Sequence, residues 1–282
     1  MLTLPALAAL KKFGRGTPIR VVAQPAPSAL FAADAFIDSN SKSLAALYAP
    51  DLIPHTLFDE SSLLLVYGKA EGALFEKARI YLGDRALFWD PTPPNNSKSH
   101  ITDHLLKPLE QLMDLSRVDR RPVIEVQPSE LAEARALHPI PTILVHPGSS
   151  SPSKSWPLER FIQWAQQLSK EGIDIGFICG PVEKERGIKL PGDLLCFSPP
   201  DLRTLASILA QAQLFVGNDS GPGHIAAAVG TATLSLFGPT DPTLWAPRRE
   251  TSRVLVAPMR DLNELSVERV VEETMQVLAS TH

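Results

Sequence analysis

The chain has 282 residues, 44% of them apolar, and a net charge of −4. This length predicts about two domains with hydrophobic cores, and the acidic balance with few aromatic residues argues against a nucleic-acid partner. The two cysteines, Cys179 and Cys196, are too few for a disulfide framework and lack the spacing of metal ligands. They predict a protein of a reducing compartment with no bound metal.

The first part of the chain alternates amphipathic and apolar segments. Helices are predicted at 2–12, 28–33, 42–48, 71–80 and 102–115, and strands at 19–23 and 63–66. The proline-rich stretch 120–141 is predicted to be a linker. We therefore expect an N-terminal domain over 1–125 and a C-terminal domain over 126–282.

Strands and helices alternate after the linker. The predicted elements are 142–146, 157–170, 173–179, 201–211, 214–218, 222–229 and 232–237, followed by a final helix at 266–279. Such alternation indicates βαβ units around a parallel sheet. The predicted fold class is therefore α/β.

The most informative segment is VGNDSGPGHIAAAVG, residues 216–230, which reads as strand, polar turn and helix. Pro222 suits a first helical turn and Gly230 suits a helix end. A helix that begins at the end of a strand directs free N–H groups at one point, where an anion can bind. Asp219 and Ser220 could instead simply cap the helix, but capping does not explain His224.

A second junction has the same form. The apolar segment 143–145 is followed by HPGSSSPSKS, and Pro157 then opens a helix with an apolar face of period near 3.6. Small hydroxyl residues and one lysine before a helix can hold a phosphate. A solvated serine-rich turn is the alternative interpretation.

The two junctions together resemble one family. HPGSSSPSKSWPLERF and GNDSGPGHIAAAVGTATLSLFGPTDPTLWAPR are similar to the ADP-heptose:lipopolysaccharide heptosyltransferases, glycosyltransferase family 9. The resemblance is dense from about 142 to 248, and residues 2–12 resemble the first helix of the family. It implies a GT-B fold of two Rossmann-like parallel-sheet domains with a cleft between them.

The resemblance also implies roles for individual residues. Those that match the donor-phosphate positions are Ser149, Ser150, Lys154, Ser220, Gly221 and His224. Asp219 matches the acid that contacts the donor sugar, and Glu183 is the best match for the ribose-binding acid, with Glu185 as the second choice. The reaction it implies is inverting and needs no metal ion or other cofactor.

The chain departs from the family pattern at its start. In the family, a strand and a Gly-Asp loop precede the segment that resembles LTLPAL, and the aspartate of that loop is the proposed base. We therefore expect either a start upstream of Met1 or a shortened chain. No other acid of the N-terminal region matches this base, so the catalytic residue is left unassigned.

Two functions of different classes remain from the sequence. The chain is either a glycosyltransferase moving a heptose or related sugar from an ADP-sugar to a lipopolysaccharide-core acceptor, or a sugar-nucleotide-binding protein without transferase activity. No signal peptide or ~18-residue apolar run is present, which predicts a cytoplasmic protein. The basic cluster Lys11, Lys12, Arg15 and Arg20 could contact the inner face of the inner membrane, where a lipid-linked acceptor would lie, or could simply favour a helix C-terminus.

Overall fold

The structure is a computed structural model, and it describes residues 1–14, 16–31, 33–42, 44, 62–137, 139–180, 190–191 and 194–280. The chain forms two compact units, Leu2–Arg120 and Arg121–His282. The sequence placed this boundary between residues 125 and 126.

The N-terminal unit contains two parallel strand pairs. The first pair is β1 (Arg20–Ala23) with β2 (Ala35–Asp38), and the second is β3 (Leu64–Tyr67) with β4 (Ala86–Trp89). Helices lie at Leu4–Phe13, Pro25–Ser28, Gly72–Leu82 and Ile101–Leu106, and 3-10 turns at Gly83–Arg85 and Lys107–Gln111. Tyr67 donates its hydroxyl to the carbonyl of Leu105 at 2.6 Å, and burial raises the pKa of that hydroxyl.

Several predicted elements of this unit differ from the structure. The helix predicted at 28–33 is instead Pro25–Ser28, because a proline at the first helical position begins it earlier. The helix predicted at 102–115 gives way to a 3-10 turn at Lys107, since Pro108 supplies no N–H to an α-helix. Most of the helix predicted at 42–48 lies outside the described residues. Neither β2 nor β4 was predicted from the sequence.

The C-terminal unit is a parallel six-stranded sheet with the order β10-β9-β8-β5-β6-β7. The strands are β5 (Ile143–His146), β6 (Ile175–Ile178), β7 (Leu195–Phe197), β8 (Leu214–Asn218), β9 (Ala232–Phe237) and β10 (Ser252–Val256). Its four central strands are buried along their whole length and its two edge strands only in part. Parallel strands need helices on both faces to achieve this burial.

The helices of this unit are Pro128–Leu137, Leu158–Lys170, Leu202–Leu209, Gly221–Val229, Pro242–Trp245 and Val267–Ser280, with 3-10 turns at Pro152–Lys154, Pro258–Arg260 and Leu262–Glu264. The helix at Pro128–Leu137 lies within the stretch predicted to be a linker. Its proline is compatible with the first turn of a helix and was misread as a sign of irregular chain. Trp164 joins two helices by donating its indole N–H to Thr274 Oγ1 at 3.1 Å.

Candidate functional site

The site is located by the order of the strands. Counted along the chain within this sheet, the order is 3-2-1-4-5-6, and it reverses between the neighbours β5 and β8. The connections leave these two strands toward opposite faces, which opens a crevice beyond their carboxyl ends. Open α/β sheets bind their ligands in this crevice, and both junctions singled out in the sequence meet there.

A glycine allows the two strand ends to approach closely. Gly217 is paired with His146 across β8 and β5. A Cβ on Gly217 would lie 2.9 Å from the carbonyl oxygen of His146 and 3.0 Å from the ring of Phe215. Any larger residue at position 217 would therefore push apart the ends of the strands that carry the two loops.

A buried asparagine joins the two loops directly. Asn218 Oδ1 accepts a hydrogen bond from the backbone N–H of Trp156 at 2.9 Å, and its Nδ2 donates to the carbonyl of Pro147 at 2.7 Å. Only 1% of Asn218 is exposed. No role for Asn218 was predicted from the sequence, although a polar residue at the end of a buried strand was the available signal.

The serine-rich loop is shaped by its own hydroxyl groups. Ser149 is buried, and its hydroxyl lies 2.6 Å from the carbonyl oxygen of Ser151 and 2.9 Å from Ser155 Oγ. Ser150 is exposed. The structure thus places Ser149 inside the loop and Ser150 on its surface, and the phosphate role of both remains a prediction.

The second junction places the start of a helix at the same carboxyl ends of the strands. The helix begins at Gly221, and the side chain of Ser220 in the N-cap position makes no capping hydrogen bond within the described chain. Ser220 Oγ instead lies 3.4 Å from His146 Nδ1. Gly221 is exposed, and His224 is half-buried in the first turn. The first N–H groups of a helix have no partner within it, and no described side chain at the N-cap takes one here.

The predicted sugar-contacting acid and the predicted phosphate-binding lysine are neighbours. Lys154 Nζ lies 3.6 Å from Asp219 Oδ2, and the two side chains are 31% and 12% exposed. The same oxygen accepts a hydrogen bond from Thr240 Oγ1 at 2.9 Å. Thr240 follows β9, so three adjacent strand ends contribute to this group. Thr240 was not predicted from the sequence, in which the proline-rich segment 238–248 is the only signal at this position.

Asp241 lies next to Thr240 on the loop that follows β9. Asp241 caps the short Pro242–Trp245 helix, and its pKa is lowered by hydrogen bonds from the backbone N–H and then the hydroxyl of Thr243, and by the nearby positive charge of Arg260. The Asp241 carboxylate is therefore occupied in holding its own loop.

The predicted ribose-binding acid Glu183, and the second choice Glu185, lie outside the described residues. Among the residues that are described, no group of three or more histidine, cysteine or acidic side chains is arranged to hold a metal ion. Within that same part of the chain, no helix is both long and apolar enough to cross a membrane.

A doubly wound parallel sheet with a crevice at its switch point is the arrangement in which open α/β proteins bind their ligands. The model of glycosyltransferase family 9 (heptosyltransferase) matches residues 78–274. The match covers more than half of the chain, and the chain belongs to this family.

Curated relatives agree with this assignment. Lipopolysaccharide heptosyltransferase 3 of Escherichia coli K12 is 32% identical over 116 residues, which cover 38% of this chain and 34% of the relative. Lipopolysaccharide heptosyltransferase 1 of Pseudomonas aeruginosa is 26% identical over 169 residues, covering 58% of this chain and 45% of the relative. The chain thus spans about a third to a half of the length of these curated relatives.

Solved structures extend the likeness to nearly the whole chain. A family 9 glycosyl transferase from Veillonella parvula superposes with a TM-score of 0.80 at 19% identity, covering 99% of this chain and 93% of that one. The Escherichia coli ADP-heptose lps heptosyltransferase II gives 0.76 at 17% identity, covering 99% and 95%. The Escherichia coli heptosyltransferase WaaC with ADP gives 0.69 at 18%, covering 98% and 95%. The α/β fold is therefore that of the GT-B glycosyltransferases, as the sequence predicted.

Proposed function

We propose that the chain is an inverting glycosyltransferase that moves a heptose, or a related sugar, from an ADP-sugar to a lipopolysaccharide-core acceptor. Family membership supports the transferase class, and the names of the curated relatives support the acceptor. The solved neighbour that carries ADP supports the nucleotide. The alternative is a sugar-nucleotide-binding protein without transferase activity. An assay of heptose transfer distinguishes the two.

The observation that carries the proposal is the meeting of Lys154, Asp219 and the start of the Gly221–Val229 helix beyond adjacent strand ends. When the sugar leaves a nucleotide diphosphate, negative charge develops on the diphosphate. An ammonium group and a helix N-terminus are both suited to stabilise that charge. In this assignment Ser149, Ser150, Lys154, Ser220, Gly221 and His224 surround the phosphates, while Asp219 faces the sugar.

The bond changes are those of a displacement at the anomeric carbon. Its bond to the diphosphate oxygen breaks, a bond to the acceptor oxygen forms on the opposite face, and the acceptor hydroxyl loses its proton to a base. Lys154 and the helix start act on the leaving group, and we propose that they do so without a metal ion. The proton acceptor is left unassigned.

For the place of action we propose the cytoplasmic face of the inner membrane, where the lipid-linked acceptor would lie. Lys11 and Lys12 end the Leu4–Phe13 helix and are exposed, and Phe13 is 38% exposed. Basic side chains beside an exposed aromatic ring suit contact with an anionic membrane surface. Increased sedimentation with anionic over neutral vesicles would support this contact, and equal sedimentation would contradict it.

Two measurements test the function itself. Calorimetric titration with ADP and with ADP-heptose should show binding of both, and heptose transfer to a lipopolysaccharide-core acceptor should follow. If folded protein binds neither ligand at millimolar concentration, the proposal is wrong. Tight binding of ADP-heptose with no transfer, both by the 282-residue chain and by a form extended with a strand and a Gly-Asp loop before Met1, would favour the binding-protein alternative.

Gly221 offers a variant that tests where the ligand lies. A Cβ built on Gly221 meets no atom within 4 Å, so Gly221→Ala should leave the fold intact. A phosphate seated against the helix start would meet that methyl group, and ADP affinity should fall about tenfold or more, roughly 1.4 kcal/mol. Unchanged affinity in a folded Gly221→Ala protein would place the phosphates elsewhere.

A further inference from the structure

One oxygen of the Asp219 carboxylate contacts two groups of different charge. Its Oδ2 atom lies 3.6 Å from the ammonium of Lys154 and accepts a hydrogen bond from the neutral hydroxyl of Thr240 at 2.9 Å. We propose that Thr240 is a positioning residue, which fixes the Asp219 carboxylate so that it can orient the donor sugar. This inference rests on the proposed function, which assigns Lys154 to the phosphates and Asp219 to the sugar.

The need for a second partner follows from the role given to Lys154. A lysine ammonium that turns toward a diphosphate has less attraction left for Asp219, and the incoming negative charge repels that carboxylate. A hydroxyl donor has no charge to share with the phosphate, so its hydrogen bond to Asp219 persists. Thr240 therefore keeps the carboxylate in place when the ligand arrives.

The loop that carries Thr240 is itself tightly packed. A Cβ on Gly238, at the start of this loop, would lie 3.1 Å from Leu262 and 3.3 Å from the carbonyl oxygen of Arg260. Arg260 also donates from Nη1 to the carbonyl of Thr240 at 3.1 Å. The backbone around Thr240 is thus held by contacts with Arg260 and Leu262, in the segment 258–262 that follows β10.

The segment 258–262 has an uncommon backbone conformation at two residues. Met259 and Arg260 have φ angles of 49° and 60°, in the left-handed region that residues other than glycine rarely adopt. Such residues persist only where the surrounding structure determines them, and they occur preferentially at functional sites. Arg260, which donates to the carbonyl of Thr240, is one of these two residues.

The loop supplies a matched set of variants. Thr240→Val removes the hydroxyl and keeps the shape, whereas Thr240→Ser keeps the hydroxyl. Thr243→Val is the control, because its hydroxyl bonds Asp241 Oδ1 at 2.8 Å on the same loop without touching Asp219. A stability effect of losing a loop hydroxyl should appear in both valine variants, while a positioning effect should appear only at Thr240.

The first readout needs no ligand. The 3.6 Å contact with Lys154 is longer than a hydrogen bond, so without ligand it attracts the Asp219 carboxylate but does not fix its orientation. In crystal structures of the parent and the three variants, the Asp219 carboxylate should therefore turn from its position in Thr240→Val alone. An Asp219 carboxylate that stays in place in Thr240→Val overturns the inference. This result is decisive whether or not the protein binds ADP, so failure here is distinguishable from failure of the proposed function.

The second readout separates the sugar from the nucleotide. Thr240→Val should weaken ADP-heptose binding or lower the transfer rate about tenfold or more, as for loss of a hydrogen bond to a charged group, with ADP affinity nearly unchanged. Thr240→Ser should restore most of this loss, and Thr243→Val should behave as the parent. Equal losses for ADP and ADP-heptose, or no rescue by serine, would contradict a positioning role toward the sugar.

Discussion

The surroundings of Lys154 favour a role in binding over a role in stability. Its ion pair with Asp219 has a separation of 3.6 Å, and its side chain is 31% exposed. Partly exposed ion pairs of this length contribute little to stability. Stability gained from this ion pair therefore does not explain a lysine at this strand end. Binding of a negatively charged ligand would explain it better.

Replacing Lys154 should affect binding far more than folding. Lys154→Ala removes a charged donor from the proposed phosphate site, and we expect ADP binding to weaken by about 1.5–3 kcal/mol. Calorimetric titration measures the loss, and thermal unfolding checks that the fold is retained. Lys170→Ala is the matched control, since Lys170 is exposed at the end of the Leu158–Lys170 helix. Equal ADP affinity in both variants would support the solvated-turn interpretation of the serine-rich loop.

At the scale of elements, the sequence was most informative where strands are buried on both faces. The predicted strand 214–218 and the predicted strand 232–237 are present with those bounds as β8 and β9, because central parallel strands are continuous apolar runs. The edge strands β7 and β10 were not predicted from the sequence, since their partial exposure weakens the apolar signal. The strand pattern thus predicted the centre of the sheet and not its limits.

The site was predictable only in part, for a related reason. Asp219 and Lys154 belong to motifs whose composition is unusual, so each was found within its own segment. Asn218 and Thr240 act across the fold, on Trp156 and Asp219 respectively. A single sequence does not show which loop another loop will contact, and hydrogen bonds between loops are therefore the part that required the structure.

A bidentate ion pair attaches the Pro128–Leu137 helix, which was not predicted from the sequence. Arg203 Nε and Nη2 lie 2.5 Å and 2.6 Å from the two carboxylate oxygens of Glu130, joining the Leu202–Leu209 and Pro128–Leu137 helices. The Arg203 hydrogen bonds lower the pKa of Glu130. Parallel donors in a fixed fork give such pairs good geometry, so this one should contribute to stability.

The contribution of Glu130 should depend on pH in a defined direction. A carboxyl whose pKa is lower in the folded state stabilises the fold above its unfolded-state pKa and loses that effect as the pH falls through its folded-state pKa. Glu130→Gln should therefore lower the free energy of unfolding by about 0.5–1 kcal/mol at pH 7, and the difference should disappear in acid. Urea unfolding from pH 7 to pH 3 measures this.

The control for this pH dependence lies on the same helix. Glu133 is exposed and three residues further along, and Glu133→Gln should match the parent at every pH. A Glu130→Gln effect that is the same at pH 7 and pH 3 would show that shape, and not charge, attaches the Pro128–Leu137 helix.

At the scale of the molecule, the strand order brings the residues of the candidate site together. Residues from the loops after β5, β8 and β9 meet because these three strands are neighbours in the sheet. The Lys154 ammonium and the start of the Gly221–Val229 helix are thereby brought to one edge. A helix N-terminus carries the equivalent of about half a positive charge, so it adds a second positive group to the Lys154 ammonium at the place proposed for the diphosphate.

This arrangement predicts that transfer needs no divalent cation. If Lys154 and the helix start neutralise the departing diphosphate, the rate of heptose transfer should be the same in EDTA as in Mg²⁺. The parent assayed with ADP-heptose and a lipopolysaccharide-core acceptor gives the comparison, and Lys154→Ala should be slow in both conditions. Activity that is lost in EDTA and restored by Mg²⁺ would show that a metal ion supplies the charge, and Lys154 would then need a different role, such as placing the donor.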